Sequence, residues 1–178
     1  MNEDIPVHPH HKSETLLVNV HHIPDLSDVD IYIGPVHTPI TNDLPDSTIY
    51  RFQNDFKISK HGREGSIENF KMKFYRDFLV NKKFRKQVKN ISGKTLADAS
   101  YPKISHGEPI IDLVERINRE DFTGVDVLDY IESKVQNIDP EDLGEDALKY
   151  RSEALDKLNV HSEGEEQETN HTQSKITK

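Results

Sequence analysis

The chain has 178 residues, of which 33% are hydrophobic and 31% are charged, and its formal net charge is −9 at pH 7. It contains no cysteine, which excludes disulfides, thiolate nucleophiles and thiolate metal sites. No apolar run approaches the ~20 residues that a membrane-spanning helix needs, so we expect a soluble cytoplasmic protein with one modest core and no membrane partner.

The composition divides the chain into four segments. Residues 1–13 are polar and rich in histidine, which predicts a disordered arm without a specific metal site. Short periodic apolar runs follow over residues 14–118, where we expect an α/β domain. Residues 119–160 predict a helical extension, and residues 161–178 have no apolar pattern, which is typical of a disordered tail.

Three short apolar runs predict strands. Residues 14–20 are rich in Leu and Val, and residues 28–34 alternate apolar and polar side chains, as in a strand with one buried face. Residues 93–98 form a third apolar run that follows a Ser-Gly turn. A strand that follows helices implies a parallel crossover, so the predicted fold is α/β: a small, mostly parallel sheet with flanking helices.

Helical periodicity occupies the segments between and after these strands. Ser66 is the expected N-cap of the first helix, and Asn81 is expected to interrupt it. One face of this helix is apolar: Ile67, Phe70, Phe74, Phe78 and Leu79. Further apolar stripes predict helices over residues 110–117, 125–138 and 145–158, and the last two make up the helical C-terminal extension.

Positive charge is concentrated in residues 57–94, which carry twelve basic and three acidic residues, or net +9, so the rest of the chain carries −18. The densest run comprises Lys82, Lys83, Arg85 and Lys86. This surface could bind phosphate or nucleic acid, or it could be a solvated helix face neutralised by the acidic C-terminal third. No ladder of stacking aromatics accompanies it, so any nucleic-acid binding is expected to be weak and salt-sensitive.

The loop after the third strand is the candidate site. It carries Asp98, Ser105, His106 and Glu108, and ligands of open α/β sheets bind beyond the carboxyl ends of strands, beside helix N-termini. Gly107 permits close backbone approach, and the N–H groups of the helix start could hold an anion. The alternative is that Ser105 and Glu108 only cap the helix while His106 only hydrogen-bonds the loop.

These blocks resemble a family of small bacterial and phage proteins known as domain of unknown function 4326. The resemblance covers residues 16–118 and rests on "YIG" at 32–34, "FQNDFKI" at 52–58, the helix from Ser66 and "GKTLADASYPKISHGEPI" at 93–110. The resemblance implies a small α/β protein, in the host cytoplasm if it is phage-encoded. Gly34, Asn54, His106 and Gly107 match the family pattern.

The chain departs from that pattern where the chemistry is distinctive. The family's three cysteines fall on Asp98, Ser100 and Ser105, and its final Asp falls on Glu108. Its Arg after "YIG" falls on Pro35, and its Trp-Gly-Asn-Pro-Phe block falls on residues 52–56, so only the Asn and the Phe of that block are kept. The scaffold positions of the resemblance are retained, whereas most reactive positions have changed.

These departures weaken two mechanisms. Asp98 and His106 are the only strong ligands left in the block, which is too few for a structural zinc site, so we expect neither a metal nor another cofactor. A Ser105–His106 nucleophile pair would require two adjacent residues to face each other, which backbone neighbours rarely do.

Three hypotheses therefore remain. The first is a non-catalytic, divergent member of this family that binds a protein partner or a nucleotide-like ligand. The second is a nucleotide- or sugar-phosphate-directed hydrolase or transferase, in which His106 works with Asp98 or Glu108 as acid and base. In both, the predicted ligand-binding residues are Gly34, Asn54, Ser105 and Gly107. The third is a nucleic-acid accessory protein that uses the basic surface of residues 57–94.

Overall fold

The computed structural model describes residues 14–35, 52–119 and 124–173. The predicted N-terminal arm, residues 1–13, lies outside the described residues, as do residues 174–178 of the predicted tail. No helix in the described ranges is both long and apolar enough to cross a membrane.

The sheet has three parallel strands, which confirms the predicted α/β class. The strands are β1 (Leu16–Asn19), β2 (Ile31–Tyr32) and β3 (Thr95–Asp98), in the order β1-β3-β2. Asn19 of β1 lies opposite Asp98 of β3, and the N–H of Ile33, just after β2, donates to the carbonyl of Ala97 at 2.9 Å. The carboxyl ends of all three strands therefore meet at one edge of the sheet.

Strand β2 is shorter than the alternating pattern predicts. Val29 and Ile33 are buried while Asp28 and Asp30 are exposed, but Tyr32 is also buried, at 2% exposure, so the predicted alternation does not hold at the strand itself. Tyr32 and Ile33 belong to two different buried clusters, which shows that both faces of the sheet are covered at β2. The backbone pairing of β2 is short because the residues just before the strand form a 3-10 turn, Leu26–Asp28. Asp25 caps this turn by accepting the N–H of Ser27 at 2.8 Å, a local hydrogen bond that competes with the sheet ladder.

Between β2 and β3, residues 52–94 of the described chain contain two helices: α1 (Ile58–Val80) and α2 (Lys82–Lys89). Helix α1 begins before Ser66, so the predicted N-cap role of Ser66 is wrong, and Ser66 is buried inside the helix. Gly62 interrupts the first turns with φ +71° and ψ 173°, a conformation that favours glycine. The predicted apolar face of α1 is confirmed, because all five of its side chains are buried.

The predicted break at Asn81 is confirmed. Asn81 ends α1, and its side-chain oxygen accepts the N–H groups of Lys83 at 3.0 Å and Phe84 at 3.1 Å. The residue thus caps the first turn of α2, as an Asn N-cap does.

Three helices follow the sheet: α3 (Gly107–Asn118), α4 (Gly124–Gln136) and α5 (Glu145–Gln173), with a 3-10 turn at Pro140–Asp142. Helix α5 packs along α1, and Ile131 and Ala154 share one buried cluster with Phe74 and Leu96. The helical C-terminal part is therefore present as predicted, but it completes the core of the α/β domain and is not a separate unit.

Helix α5 also runs further than the sequence pattern predicts. It continues to Gln173, into the segment predicted as a disordered tail. Extending an existing helix avoids the costly nucleation step, and residues 165–168, Glu-Glu-Gln-Glu, are good helix formers. Apolar periodicity fails as a guide here because that stretch offers no apolar face to bury.

Candidate functional site

The predicted site loop is closed by a buried hydrogen-bond network. The hydroxyl of Ser105 donates to Oδ2 of Asp98 and accepts the N–H of Gly107 at 3.1 Å. Asp98 and Ser105 are each only 2% exposed. Two of the predicted site residues are thus brought together, and their polar atoms join the end of β3 to the start of α3.

His106 lies beside this network but faces another way. Its Nε2 is 2.8 Å from the carbonyl oxygen of Ile33, which can only accept, so Nε2 carries a proton. The imidazole packs edge-on against the Phe70 ring at 5.0 Å, and the backbone of Phe52 also hydrogen-bonds to it. No hydrogen bond between His106 and Ser105 is present among the described residues.

Burial lowers the pKa of His106 below its ordinary value, and this effect exceeds the opposing influence of Asp98 and of the Ile33 and Phe52 backbone. The imidazole is therefore neutral near pH 7. A neutral ring whose Nε2 proton is donated to a carbonyl holds the chain after β2 against the start of α3.

The first three residues of α3, Gly107 to Pro109, have no N–H left for an anion. The N–H of Gly107 donates to the Ser105 hydroxyl, and the N–H of Glu108 donates to the Ser105 carbonyl at 3.2 Å. Pro109 has no N–H to offer. An anion site at a helix N-terminus depends on such groups, and the exposed carboxylate of Glu108 in the first turn further disfavours one.

Asn54 anchors its own segment to α1. Its side chain donates to the Ser66 hydroxyl at 2.8 Å and accepts the N–H of Phe56 at 3.0 Å. The Ser66 hydroxyl in turn donates to the carbonyl of Phe56. The Asn54 amide, which was predicted to bind a ligand, is therefore engaged in hydrogen bonds that join residues 54–56 to the buried Ser66 of α1.

The two glycines predicted at the site lie where a side chain would collide with neighbours. A Cβ at Gly107 would come within 2.7 Å of Leu17 Cδ1 and 2.9 Å of Ile33 Cδ1, because α3 begins directly against β1 and the end of β2. A Cβ at Gly34 would collide with the Tyr32 ring. Close packing at this edge of the sheet therefore explains why glycine stands at both positions.

Open space lies on the other side of the α3 start. A cleft of about 1030 Å³, which we call the α1–α3 cleft, is bounded by residues 61–75 of α1 and by Ile104, Glu108 and Asp112, with Lys134, Glu141 and Asp142 closing its far side. Glu108 lines this cleft, whereas Asp98, Ser105, His106 and Asn54 do not. The structure thus separates Glu108 from the two residues with which a catalytic role was predicted.

The α1–α3 cleft is acidic, with an apolar floor. Its floor includes Ile67, Tyr75 and Pro109. Among the described residues, six carboxylates line it against the three cations Arg63, Lys71 and Lys134: Glu64, Glu68, Glu108, Asp112, Glu141 and Asp142. The cation Lys71 is already paired with Glu68 at 2.6 Å, and Lys134 lies 5.3 Å from the Tyr130 ring centroid.

Asn69 and Tyr75 brace the cleft. Asn69 is fully buried, donates to the Gly65 carbonyl at 2.6 Å and accepts the Gly144 N–H at 2.8 Å, so it ties α1 to the entry of α5. Burial, reinforced by Tyr130, raises the pKa of Tyr75 and keeps its phenol protonated. The sequence analysis did not predict a role for Asn69 or Tyr75. For Asn69 the available signal was a polar residue among the apolar residues of α1.

The basic residues of α2 fall into two groups, one half-buried arginine that binds backbone and several exposed lysines. The guanidinium of Arg85 is half-buried and donates to the carbonyls of Phe78 at 3.0 Å and Leu79 at 2.7 Å, at the end of α1. Four lysines of α2 are exposed and form no ion pair with any described residue: Lys82, Lys83, Lys86 and Lys89. Three of the four predicted phosphate contacts are therefore available, and Arg85 is a helix-end brace.

Within the described ranges, no group of three or more histidine and acidic side chains could hold a metal ion. No family model, no curated protein and no solved structure matches the chain. The resemblance to domain of unknown function 4326 therefore stays a prediction.

Proposed function

We propose that this protein is a non-catalytic binding protein and that its α1–α3 cleft receives a segment of a protein partner. The observation that carries the proposal is that this cleft is open, while Asp98, Ser105 and His106 of the predicted site are buried and engaged by their neighbours. A cleft of about 1030 Å³ is at the upper end of the ~300–1,000 Å³ range of small-molecule pockets, and it is large enough to receive several side chains of a peptide.

The family resemblance is part of this proposal. Asp98 and Ser105 stand where the family has cysteines, and here their side chains hydrogen-bond to each other. A buried pair of this kind maintains the connection between β3 and α3 without thiol chemistry. We infer a divergent member in which a reactive loop has become a structural one.

A nucleotide-like ligand is less favoured than a protein partner. Six carboxylates would oppose a phosphate in the cleft, and the first three residues of α3 have no N–H left for an anion. The hydrolase or transferase alternative would need His106 to act with Asp98 or Glu108 on one substrate. His106 and Asp98 are buried, and of the three residues only Glu108 lines the cleft.

Site-specific photo-cross-linking tests the proposed function. A photoreactive residue at Ile104, which lines the cleft and is 43% exposed, is compared with one at Leu148, which is 41% exposed and does not line it. We expect a defined partner to cross-link from Ile104 and not from Leu148. Equal labelling from both positions, or turnover of a nucleotide or sugar phosphate that His106→Ala abolishes, would contradict the proposal.

A second function, polyanion binding by α2, is favoured by one observation: its four exposed lysines are unpaired among the described residues. Reversing Lys82, Lys83 and Lys86 to Glu should lower retention on heparin and flatten its salt dependence. The control reverses Lys103, Lys149 and Lys157, which gives the same net charge. Equal retention of the two variants would remove this function.

A further inference from the structure

The structure carries an inference about the chemistry of the partner, which rests on the proposed function. We propose that the α1–α3 cleft recognises an extended peptide segment bearing lysine or arginine side chains spaced by apolar residues. Three features of the cleft support this occupant: its unpaired carboxylates, its engaged cations and its apolar floor.

The first feature is negative charge without internal compensation. Of the six carboxylates, Glu68 is paired with Lys71, and none of the other five forms an ion pair with a described residue. Glu64, Glu108, Glu141 and Asp142 are exposed around the opening. Carboxylates so arranged attract a cationic group and repel a phosphate or an acidic peptide.

The second feature is that two of the three cleft cations are already engaged. The Lys71 ammonium is 2.6 Å from Glu68, and the Lys134 ammonium lies against the Tyr130 ring. Within the cleft this leaves Arg63 as the cation without a contact of this kind among the described residues. An incoming anion would find one described cation without a partner, Arg63, whereas an incoming cation would meet five carboxylates that form no ion pair with a described residue.

The third feature distinguishes a peptide from a small polycation. Ile67, Tyr75 and Pro109 line the cleft, and Ile104 stands at its edge with 43% of its surface exposed. Ile67 and Tyr75 are already buried at 6% and 1% exposure, so the apolar surface that a bound side chain can still cover is mainly that of Ile104. A segment that alternates basic and apolar residues uses both parts of the cleft, whereas a purely cationic amine uses only the carboxylates.

The test measures binding of a fluorescein-labelled nonapeptide with four arginines and three leucines. Its comparison ligands are the same peptide with glutamates for the arginines, and spermine. We expect the arginine peptide to bind the full-length protein, to weaken as salt is raised, and to bind better than either comparison ligand. No binding of the arginine peptide, or spermine binding as tightly as the peptide, would overturn the inference.

Two variants of equal net charge locate the binding. The cleft variant carries Glu64→Gln, Glu108→Gln and Glu141→Gln, and the control variant carries Asp28→Asn, Asp129→Asn and Asp156→Asn, which are exposed positions that do not line the cleft. Because three carboxylates that would pair with the peptide are removed, the cleft variant should bind about tenfold more weakly than wild type. Equal affinity of the two variants would overturn the inference.

The remaining outcomes separate this inference from the proposed function. If the arginine peptide fails but the photoreactive residue at Ile104 still captures a defined partner, the basic chemistry is wrong and the proposed function stands. If both experiments fail, both ideas fall. If the protein self-associates and reversing Lys82, Lys83 and Lys86 abolishes this, the occupant is α2 of a second copy, which would also overturn the inference.

Discussion

Replacing Ser105 by alanine tests whether the loop after β3 is structural. The substitution removes one hydroxyl that donates to the buried carboxylate of Asp98 and accepts the N–H of Gly107. Both Ser105 and Asp98 are 2% exposed, so water cannot easily replace the lost partner. Alanine itself fits the available space, and the cost therefore arises from unsatisfied polar groups.

The magnitude follows from the two lost bonds. A hydrogen bond to a charged group contributes about 1.5–3 kcal/mol, and a side-chain cap of a helix N–H contributes about 1 kcal/mol. We therefore expect Ser105→Ala to lower the free energy of unfolding by about 2–4 kcal/mol. This is a large fraction of the roughly 5–15 kcal/mol that stabilises an ordinary domain.

Urea unfolding followed by circular dichroism measures this change. Ser133→Ala is the matched control, since Ser133 is exposed and its hydroxyl donates only to the Tyr130 carbonyl at 2.8 Å. Its cost should stay within about 0.5 kcal/mol. The reasoning is refuted if Ser105→Ala costs no more than Ser133→Ala.

Three further predictions concern the same edge of the sheet. Gly107→Ala should destabilise the protein by about 1–3 kcal/mol in urea unfolding, because the new methyl group would crowd Leu17 and Ile33, and a neutral effect would argue against the packing described. Asn54→Ala should cost about 1–3 kcal/mol by the same assay, since it leaves the Phe56 N–H without its acceptor, and an exposed Asn137→Ala control should cost far less. Wild-type stability should fall as pH decreases below about 6.5, because burial lowers the pKa of His106 and the unfolded chain then binds more protons. His106→Gln should lose stability less steeply between pH 7.5 and 5, and parallel curves would show that His106 does not contribute.

The strands and the core of α1 could be predicted because their periodicity is strong. The apolar face of α1 determines which of its side chains are buried, and burial dominates folding free energy. Alternation in residues 28–34 located β2 but missed Tyr32, which is buried on the second face of the sheet. The predicted helix start at Ser66 was wrong because Ser66 lies inside the helix. Its hydroxyl forms hydrogen bonds with Asn54 and Phe56 and does not cap the helix. These hydrogen-bond partners are brought to Ser66 by the tertiary fold, so the sequence around Ser66 does not predict them.

The candidate site was only partly predictable. The strand–loop–helix pattern correctly brought Asp98, Ser105 and His106 to one edge of the sheet, as the ends of parallel strands require. Which groups face each other depends on how the loop turns, and the structure places Glu108 in the cleft and His106 in the core. The α1–α3 cleft is assembled from segments distant in sequence, so no motif indicates it.

The most direct measurement of the central claim is an NMR titration of ¹⁵N-labelled protein with the arginine peptide. Binding in the α1–α3 cleft predicts that the amides of Gly65, Glu68 and Lys134 shift together and saturate at one affinity. The amides of Asp98 and Ala99, at the buried end of β3, should change little. Shifts at Asp98 and Ala99 without change at Gly65 and Lys134 would contradict the account and return the site to the loop after β3.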